Sequence, residues 1–342
     1  MRRLAYGLIL CALGALIGLG VAGWYGWSIY NRPGTLAQSA DMDVPRGDTG
    51  RVFSALVAKD LLPPDQVTEM VFRASVWVTR RAGALHAAEL NFPAHASIRD
   101  ILNVLRHAPP VQHHLTIPEG WTGVRITELL GDTTMLTGGV PMFPEGSVFP
   151  DTVSFVRDTT RAAIVARLQK RMTRVLADVW EHRDPALALS DPRALLILAS
   201  IVERETGTPA ERPQVAQVFL NRLRLGMKLQ SDPTVVYDLS DGRGDLGRSL
   251  QHADLTESGP FNTYRIAGLP PAPICSPGRA ALEAVAHPSG DQSLLYFVAT
   301  GSGGHHFAAS LEDHNRNVSD YRKARKAAPV KIMTTPADPR RR

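Results

Sequence analysis

Cysteine is nearly absent from this sequence, with only Cys11 and Cys275 among its 342 residues. Cys11 lies in an apolar N-terminal run and Cys275 lies far along the chain, so we expect no internal disulfide. Such a chain must be stabilised by its hydrophobic core. Hydrophobic residues make up 44% of the sequence and charged residues 21%, which is ordinary globular composition. The length predicts about two domains.

Metal-ligand patterns are also missing. The eleven histidines include two adjacent pairs, His113-His114 and His305-His306, but neither pair belongs to an HExxH pattern or lies beside cysteines. Adjacent side chains on a strand point to opposite faces, so such a pair chelates poorly. We therefore expect neither a metal site nor a cofactor.

A basic face is lacking as well, although the formal net charge is +5. Residues 322–342 contain eight Lys or Arg and one Asp, so this C-terminal segment carries more than the whole excess. The rest of the chain is slightly acidic. A basic tail without a basic face argues against nucleic acid as a partner.

The N-terminal region has no charged residue for 27 residues, from Leu4 to Tyr30, after Arg2 and Arg3. A hydrocarbon core requires about 20 residues of helix. Aromatic rings favour the headgroup zone, and here they cluster at the far end of the run. We expect a single-pass anchor in the inner (cytoplasmic) membrane, with a cytoplasmic N-terminus and a periplasmic or otherwise extracytoplasmic remainder. The alternative is a cleaved signal peptide, but the run is longer than its apolar region usually is.

The rest of the chain alternates between helical spacing and short strand-like runs, which predicts an α+β fold. "SIRDILNVLRHA" predicts a helix with Ser97 as N-cap, and Asp191-Pro192 predicts the start of another. The expected organisation is a cytoplasmic stub and anchor at 1–30, a linker at 31–47, a small α+β subdomain at 48–130, a larger mixed α+β domain with long loops at 131–324, and a disordered basic tail at 325–342.

Residues 227–290 are rich in Gly, Pro, Asn and Asp, which predicts mostly loop. A long irregular stretch within a compact domain usually builds a binding surface. It contains polar and aromatic side chains suited to sugars: Gln230, Asp232, Tyr237, Asn262 and Tyr264.

The stretch "LLILASIVERETG" at 195–207 ends an apolar helix with two acids, Glu203 and Glu205. At about 100° per residue, each lies about 80° from the most apolar direction, on opposite sides. Partial burial there would raise a carboxyl pKa, as a general acid at neutral pH requires. Periodicity does not choose between the two acids, and solvated glutamates at a helix end are the plain alternative.

The motifs from this helix onward resemble the MltG/YceG-like endolytic murein transglycosylases. The similarity is carried by "ASIVERETG", "ERPQVAQVFLNRLRLGMKLQSDPTVVY", "FNTYRIAGLPPAPICSPG", "AVAHPSG", "LYFVATGSGGHHF" and "EDHNRNV", with "IPEGW" and "EGSVFPDT" upstream. The resemblance implies cleavage of the β-1,4 bond between N-acetylmuramic acid and N-acetylglucosamine, leaving 1,6-anhydro ends on peptidoglycan strands. It assigns the first glutamate of the motif, Glu203, as the catalytic acid.

The resemblance further implies a LysM-like subdomain, a single N-terminal anchor, a role in terminating nascent strands, and neighbours among the cell-wall synthases of the elongation machinery. Glu145, Asp151 and His305 are added to the candidate glycan-binding residues, because they lie in matching motifs. Two alternatives remain open. A muramidase would use a second carboxylate, Asp232 or Glu145, to activate water, and a non-catalytic scaffold would only bind glycan.

Overall fold

A computed structural model describes residues 2–301 and 303–327. The fold is mixed α+β, as predicted. The chain divides into two compact units, the first formed by the residues up to His114 together with Ser154–Asp158, and the second by Leu115–Val153 with the described residues from Thr159 onward.

The N-terminal apolar run forms helix α1, Arg2–Asn31. Its stretch Tyr6–Asn31 has a mean hydropathy of 2.1, and it is the one helix within the described residues that is long and apolar enough to cross a membrane. Its last turn behaves differently from the rest, because Ile29 is only 6% exposed and belongs to the core of the first unit.

Along the chain of the first unit, two helices and a 3₁₀ turn lie between two strands that pair with each other. Strand β1 pairs antiparallel with β2, with Ala40 opposite Phe92. Because Met42 in β1 and Val44 just after it are buried, part of the stretch predicted as a linker belongs to the core. The elements are β1 (Ala40–Asp43), α2 (Thr49–Ala58), α3 (Gln66–Val78), a 3₁₀ turn (Arg80–Ala82), β2 (Glu89–Phe92) and α4 (Ile98–His107).

Side-chain caps fix where these helices begin. The Asp48 carboxylate accepts from the backbone N–H of Arg51 at 2.8 Å, and Asp65 does the same for Thr68. Ser97 caps α4 and forms a reciprocal capping box with Asp100, which confirms the N-cap predicted from the sequence.

The chain passes between the two units within β3 (His113–Thr116) and β4 (Thr152–Phe155), which pair as a two-stranded sheet. The unit boundary therefore falls before residue 130, the expected end of the small subdomain. "IPEGW" then leads into α5 (Gly123–Asp132), which is capped by Thr122.

The second unit is built around a buried helix, α7, which packs against α6, α8, α9 and α10. Asp191 caps α7 and Pro192 is its first residue, as predicted. Ile201 and Val202 near its end are fully buried. The helices are α6 (Arg161–Glu181), α7 (Pro192–Glu205), α8 (Arg212–Arg224), α9 (Asp232–Leu239) and α10 (Arg279–Ala286).

The predicted loop region 227–290 contains α9, α10 and a 3₁₀ turn at Ala253–Thr256, so it is less irregular than its composition indicates. The predicted closing strands around "GSGG" do form: β5 (Tyr296–Ala299) pairs antiparallel with β6 (His305–Ala308). Helix α11, Leu311–Ala327, ends the described chain, and the rest of the expected tail lies outside the described residues.

Candidate active site

The end of α7 directs its two glutamates to different surroundings within the second unit. The helix continues to Glu205, so Glu203 and Glu205 are two residues apart and lie on opposite flanks of its last turn. Both residues are partly buried. The groups that contact each carboxyl decide what each one can do.

Glu203 is held by two donors, one on each carboxylate oxygen. Nη2 of Arg212, at the start of α8, donates to Oε1 at 3.0 Å, and the backbone N–H of Gly278 donates to Oε2 at 3.0 Å. The Glu203 side chain is 6% exposed. Burial raises the pKa of Glu203, and the Glu119 carboxylate adds to this, whereas the Gly278 N–H and Arg212 act in the opposite direction.

Gly278, which precedes α10, also lies close to the exposed Glu119 side chain. A Cβ added at Gly278 would lie 1.8 Å from Oε1 of Glu119, so the Glu119 side chain would have to move. The hydrogen bonds from Arg212 and Gly278 join α7, α8 and the start of α10 around Glu203. These contacts make Glu203 part of a buried ion pair between helices.

Glu205 lies in a different environment, where the described part of the chain supplies one hydrogen-bond donor to its carboxyl. The hydroxyl of Ser231, just before α9, donates to its Oε1. Burial raises the pKa of Glu205 to about 7, and the neighbouring Asp232 carboxylate adds to the shift, while Ser231 and Arg222 oppose it. A carboxyl with that pKa is present in both protonated and ionised forms at neutral pH, as a group that gives and takes a proton requires.

Glu205 opens on a cavity of about 470 Å³ inside the second unit. The size and the mixed polar and aromatic lining are suited to a ligand of one or two sugar rings. The cavity is lined by Glu205, Arg222, Leu229, Gln230, Asp232, Tyr264, Phe297, Val298, Ala299, His305, His314 and Val318.

Four of the residues predicted for glycan binding meet in this cavity: Gln230, Asp232, Tyr264 and His305. The Tyr264 hydroxyl donates to Oδ1 of Asp232 at 2.6 Å. Burial and this hydrogen bond raise the pKa of Tyr264, so its hydroxyl stays protonated at neutral pH. Gln230 has φ 53°, a left-handed conformation that turns the chain immediately before α9.

The histidines on the other wall are fixed by their own partners. Nδ1 of His305 lies 2.8 Å from a carboxylate oxygen of Glu211, and the His305 ring meets Phe297 edge-on. His314 on α11 stacks on Tyr296 with 5.2 Å between ring centroids. Burial, with the nearby Arg222, lowers the pKa of His314.

The other predicted residues do not line this cavity. Glu145 accepts from the backbone N–H of Gly123 at 2.9 Å and from the Tyr237 hydroxyl at 3.1 Å, which connects "PEGSVFPDT" to α5 and α9. Asn262 is 1% exposed and its Nδ2 donates to two loop carbonyls. Asp151 pairs with Arg171. These contacts brace loops and helices.

Two residues near Glu205 were missed by the sequence analysis. Ser231 lies between two selected positions in "LQSDPT", so its position was a usable signal. Arg222 is 7% exposed, and its Nη1 donates to the Leu229 carbonyl at 2.7 Å and its Nε to the Leu295 carbonyl at 2.8 Å. Its role depends on segments distant in sequence, which periodicity does not reveal. Within the described ranges, no group of three or more His, Cys, Asp or Glu side chains is arranged to hold a metal ion.

Comparison with known proteins identifies relatives of this chain. The model of the YceG-like family matches residues 42–320. A protein named endolytic murein transglycosylase from Bacillus subtilis (strain 168) is 33% identical over 177 residues, which cover 52% of this chain and 48% of the relative. One of the same name from Streptococcus pneumoniae (strain D39) is 27% identical over 286 residues, covering 69% and 51%. The chain thus spans about half the length of these relatives.

A solved structure shares the fold. The crystal structure of a YceG-like protein from Listeria monocytogenes matches with a TM-score of 0.51 and 24% identity. The match covers 82% of this chain and 98% of the other. Most of the described architecture therefore recurs in that protein.

Proposed function

The chain belongs to the YceG-like family, and from this premise we propose that it is an endolytic peptidoglycan lytic transglycosylase. The names of the relatives support the substrate and the reaction class. The observation that carries the proposal for this chain is the Glu205 carboxyl, with a pKa of about 7, on the wall of a cavity lined by polar and aromatic side chains.

We propose Glu205 as the proton shuttle. Glu205 lines the cavity and accepts from the Ser231 hydroxyl, whereas both oxygens of Glu203 accept from Arg212 and the Gly278 N–H. The Arg212 guanidinium and the Gly278 N–H favour the ionised form of Glu203, although burial raises its pKa overall, and they occupy one acceptor site on each of its oxygens. The assignment of Glu203, which the family resemblance implies, stays a prediction, and the contacts described above support Glu205.

The proposed reaction requires one carboxyl group. Protonated Glu205 gives its proton to the glycosidic oxygen while the C1–O bond breaks and positive charge develops on the muramic acid ring. The resulting carboxylate then takes the proton from the C6 hydroxyl of the same ring, and the C6 oxygen bonds to C1 to close the 1,6-anhydro ring. Attack within one sugar benefits from proximity, and no second nucleophilic carboxylate is required.

Neighbouring groups support both halves of this reaction. The negative charge of Asp232 favours the protonated Glu205 needed at the start, and the Ser231 hydroxyl stabilises the carboxylate formed afterwards. Tyr264, Gln230 and Phe297 offer two hydrogen-bonding groups and one aromatic face to a sugar.

The experiment for the reaction class is mass analysis of the muropeptides released from peptidoglycan by the purified full chain. Lytic transglycosylase activity predicts 1,6-anhydro ends. Reducing ends would instead support a muramidase, for which Asp232 is the second carboxylate that shares the cavity with Glu205. Binding without release would support a glycan-binding scaffold.

We also propose that α1 anchors the chain in the inner membrane and exports the rest to the periplasm, where it terminates nascent strands beside the elongation synthases. The hydropathy of Tyr6–Asn31 supports the anchor. The order β1–α2–α3–β2 with antiparallel β1 and β2 supports a LysM-like subdomain. A reporter fused after Arg325 should be active only outside the cytoplasm, and activity inside would contradict this topology.

A further inference from the structure

Helix α3 in the first unit has two apolar faces. One face packs into the core of that unit, where Phe72 is fully buried and Val71 and Val76 pack at its edge. That face alone accounts for the folding of α3, since a surface helix needs one apolar stripe.

The opposite face of α3 is apolar and exposed over the whole helix. The residues are spaced three, four, three and one apart, so at about 100° per residue they fall in one stripe. Isolated apolar side chains on a surface need no explanation, but a continuous stripe marks an interaction site. We call it the α3 stripe: Val67 (40% exposed), Met70 (64%), Ala74 (exposed), Trp77 (66%) and Val78 (66%).

The unit that carries the α3 stripe packs directly against helix α1. Helix α1 packs directly against α3 and α4, and its residue Ile29 belongs to the core of the first unit. The pKa of Asp65, the N-cap of α3, is lowered chiefly by its hydrogen bonds with Thr68, and the charge of Arg32, just after α1, adds to this. The end of the apolar helix therefore meets the beginning of α3.

The side chains around the stripe are those favoured at a membrane surface. The Arg80 guanidinium lies over the Trp77 ring, 4.5 Å from its centroid, and Arg81 follows in the same 3₁₀ turn. Tryptophan rings favour the headgroup zone, and arginines beside an apolar face bind anionic lipid phosphates. The charges of Arg73 and Glu69 on the flank pair with each other.

We propose that the α3 stripe rests in the headgroup zone of the leaflet from which α1 emerges, so that the first unit lies on the membrane in a fixed orientation. The proposal rests on the anchor proposed above. A lipid surface fits better than a second copy of the chain, because the last turn of α1 belongs to the core of the first unit and α1 packs directly against α3, the helix that carries the stripe.

The test is a spin-label scan of the full chain in bilayer nanodiscs that contain anionic and zwitterionic lipids. Single labels are placed on the stripe (Met70→Cys, Ala74→Cys, Val78→Cys) and on the polar flank (Glu69→Cys, Arg73→Cys) in a Cys11→Ala background, where the remaining Cys275 is buried and shielded from the label. These five side chains lie outside the buried core, so folding should survive, and a thermal melt checks it. Collision with oxygen, which dissolves in lipid, is compared with collision with a water-soluble nickel chelate.

We expect the oxygen-to-nickel ratio to be severalfold higher at the three stripe positions than at the two flank positions, following the helical period. High access to both reagents on the stripe would place it in water and overturn the proposal. Low access to both would mean that protein covers it, which also overturns the proposal.

A second label separates this inference from its premise. Native Cys11, labelled in the otherwise unchanged chain, should show high oxygen and low nickel access if α1 spans the bilayer. If Cys11 is open to nickel, the anchor fails and the α3 proposal fails with it. If Cys11 lies in lipid while the stripe lies in water, only the α3 proposal fails.

Discussion

The two flanks of the last turn of α7 each carry a glutamate, but the two carboxyl groups have different hydrogen-bond partners. On one flank Glu203 accepts from an arginine and a backbone N–H, and these partners favour the charged form and oppose the rise in pKa that burial causes. On the other flank Glu205 meets a serine hydroxyl and another carboxylate, and its pKa rises to about 7. The groups that contact a buried carboxyl, and not burial alone, therefore decide whether it stabilises the fold or is suited to proton transfer.

The largest expected effect separates the two flanks by activity. Glu205→Gln keeps the shape of the side chain but cannot transfer a proton, so release of anhydro-ended glycan should fall by about 10²–10⁴-fold. Glu203→Gln should retain most of the turnover per folded molecule. Circular dichroism supplies the folded fraction of each variant, and a dead Glu203→Gln with an active Glu205→Gln would reverse the assignment.

The Glu203 flank should instead dominate stability. Arg212→Met leaves a buried carboxylate with one donor, and breaking such a pair typically costs about 3–5 kcal/mol of unfolding free energy. Urea unfolding measures it. The control is Arg316→Met, which removes two exposed pairs on α11, with Glu312 and Asp313, and should cost about 0–1 kcal/mol. Equal losses of unfolding free energy in the two variants would show that the Arg212–Glu203 pair stabilises the fold no more than an exposed pair does.

The pH dependence should report on Glu205. Because the protonated acid starts the reaction, kcat/KM should fall about tenfold per unit as pH rises above the pKa of about 7. The free energy of unfolding should also decrease as pH rises. The folded pKa lies above the ordinary value of 4.5, so the contribution of Glu205 is fully present below that pH and is lost as pH rises towards 7. Glu205→Gln should lack this loss when urea unfolding is repeated across that range.

A smaller effect should come from the charge beside Glu205. Asp232→Asn removes a carboxylate that raises the pKa of Glu205, so the alkaline limb of the activity profile should move to lower pH. Tyr264→Phe is the matched control, because it removes the hydrogen bond to Asp232 while the charge remains. If Asp232→Asn leaves the limb where it is, Asp232 does not influence the titrating group.

Helix α7 also shows which features of the site could be predicted from the sequence. Helical spacing correctly placed Glu203 and Glu205 at the two edges of a buried face, and the Asp191-Pro192 start was confirmed. Spacing could not choose between them, because the decisive partners, Arg212 and Ser231, come from separate segments. The sequence also grouped Gln230, Asp232 and Tyr264 through one loop-rich region, and these do share the cavity.

Elsewhere local composition was a weaker guide. Pro and Gly in 31–47 predicted a linker, yet β1 forms there because it pairs with β2, about 50 residues later. Asn262 was selected as a polar loop residue and Glu145 for its family motif, and their partners are backbone groups and Tyr237, which only the tertiary structure brings close.

The most direct measurement of the central claim is an infrared titration of the protonated carboxyl stretch in the wild type, Glu203→Gln and Glu205→Gln. We expect a carboxyl band that disappears with an apparent pKa of about 7 in the wild type and in Glu203→Gln, and that is missing from Glu205→Gln. A band that persists in Glu205→Gln and is lost in Glu203→Gln would put the functional proton on Glu203 and contradict the account.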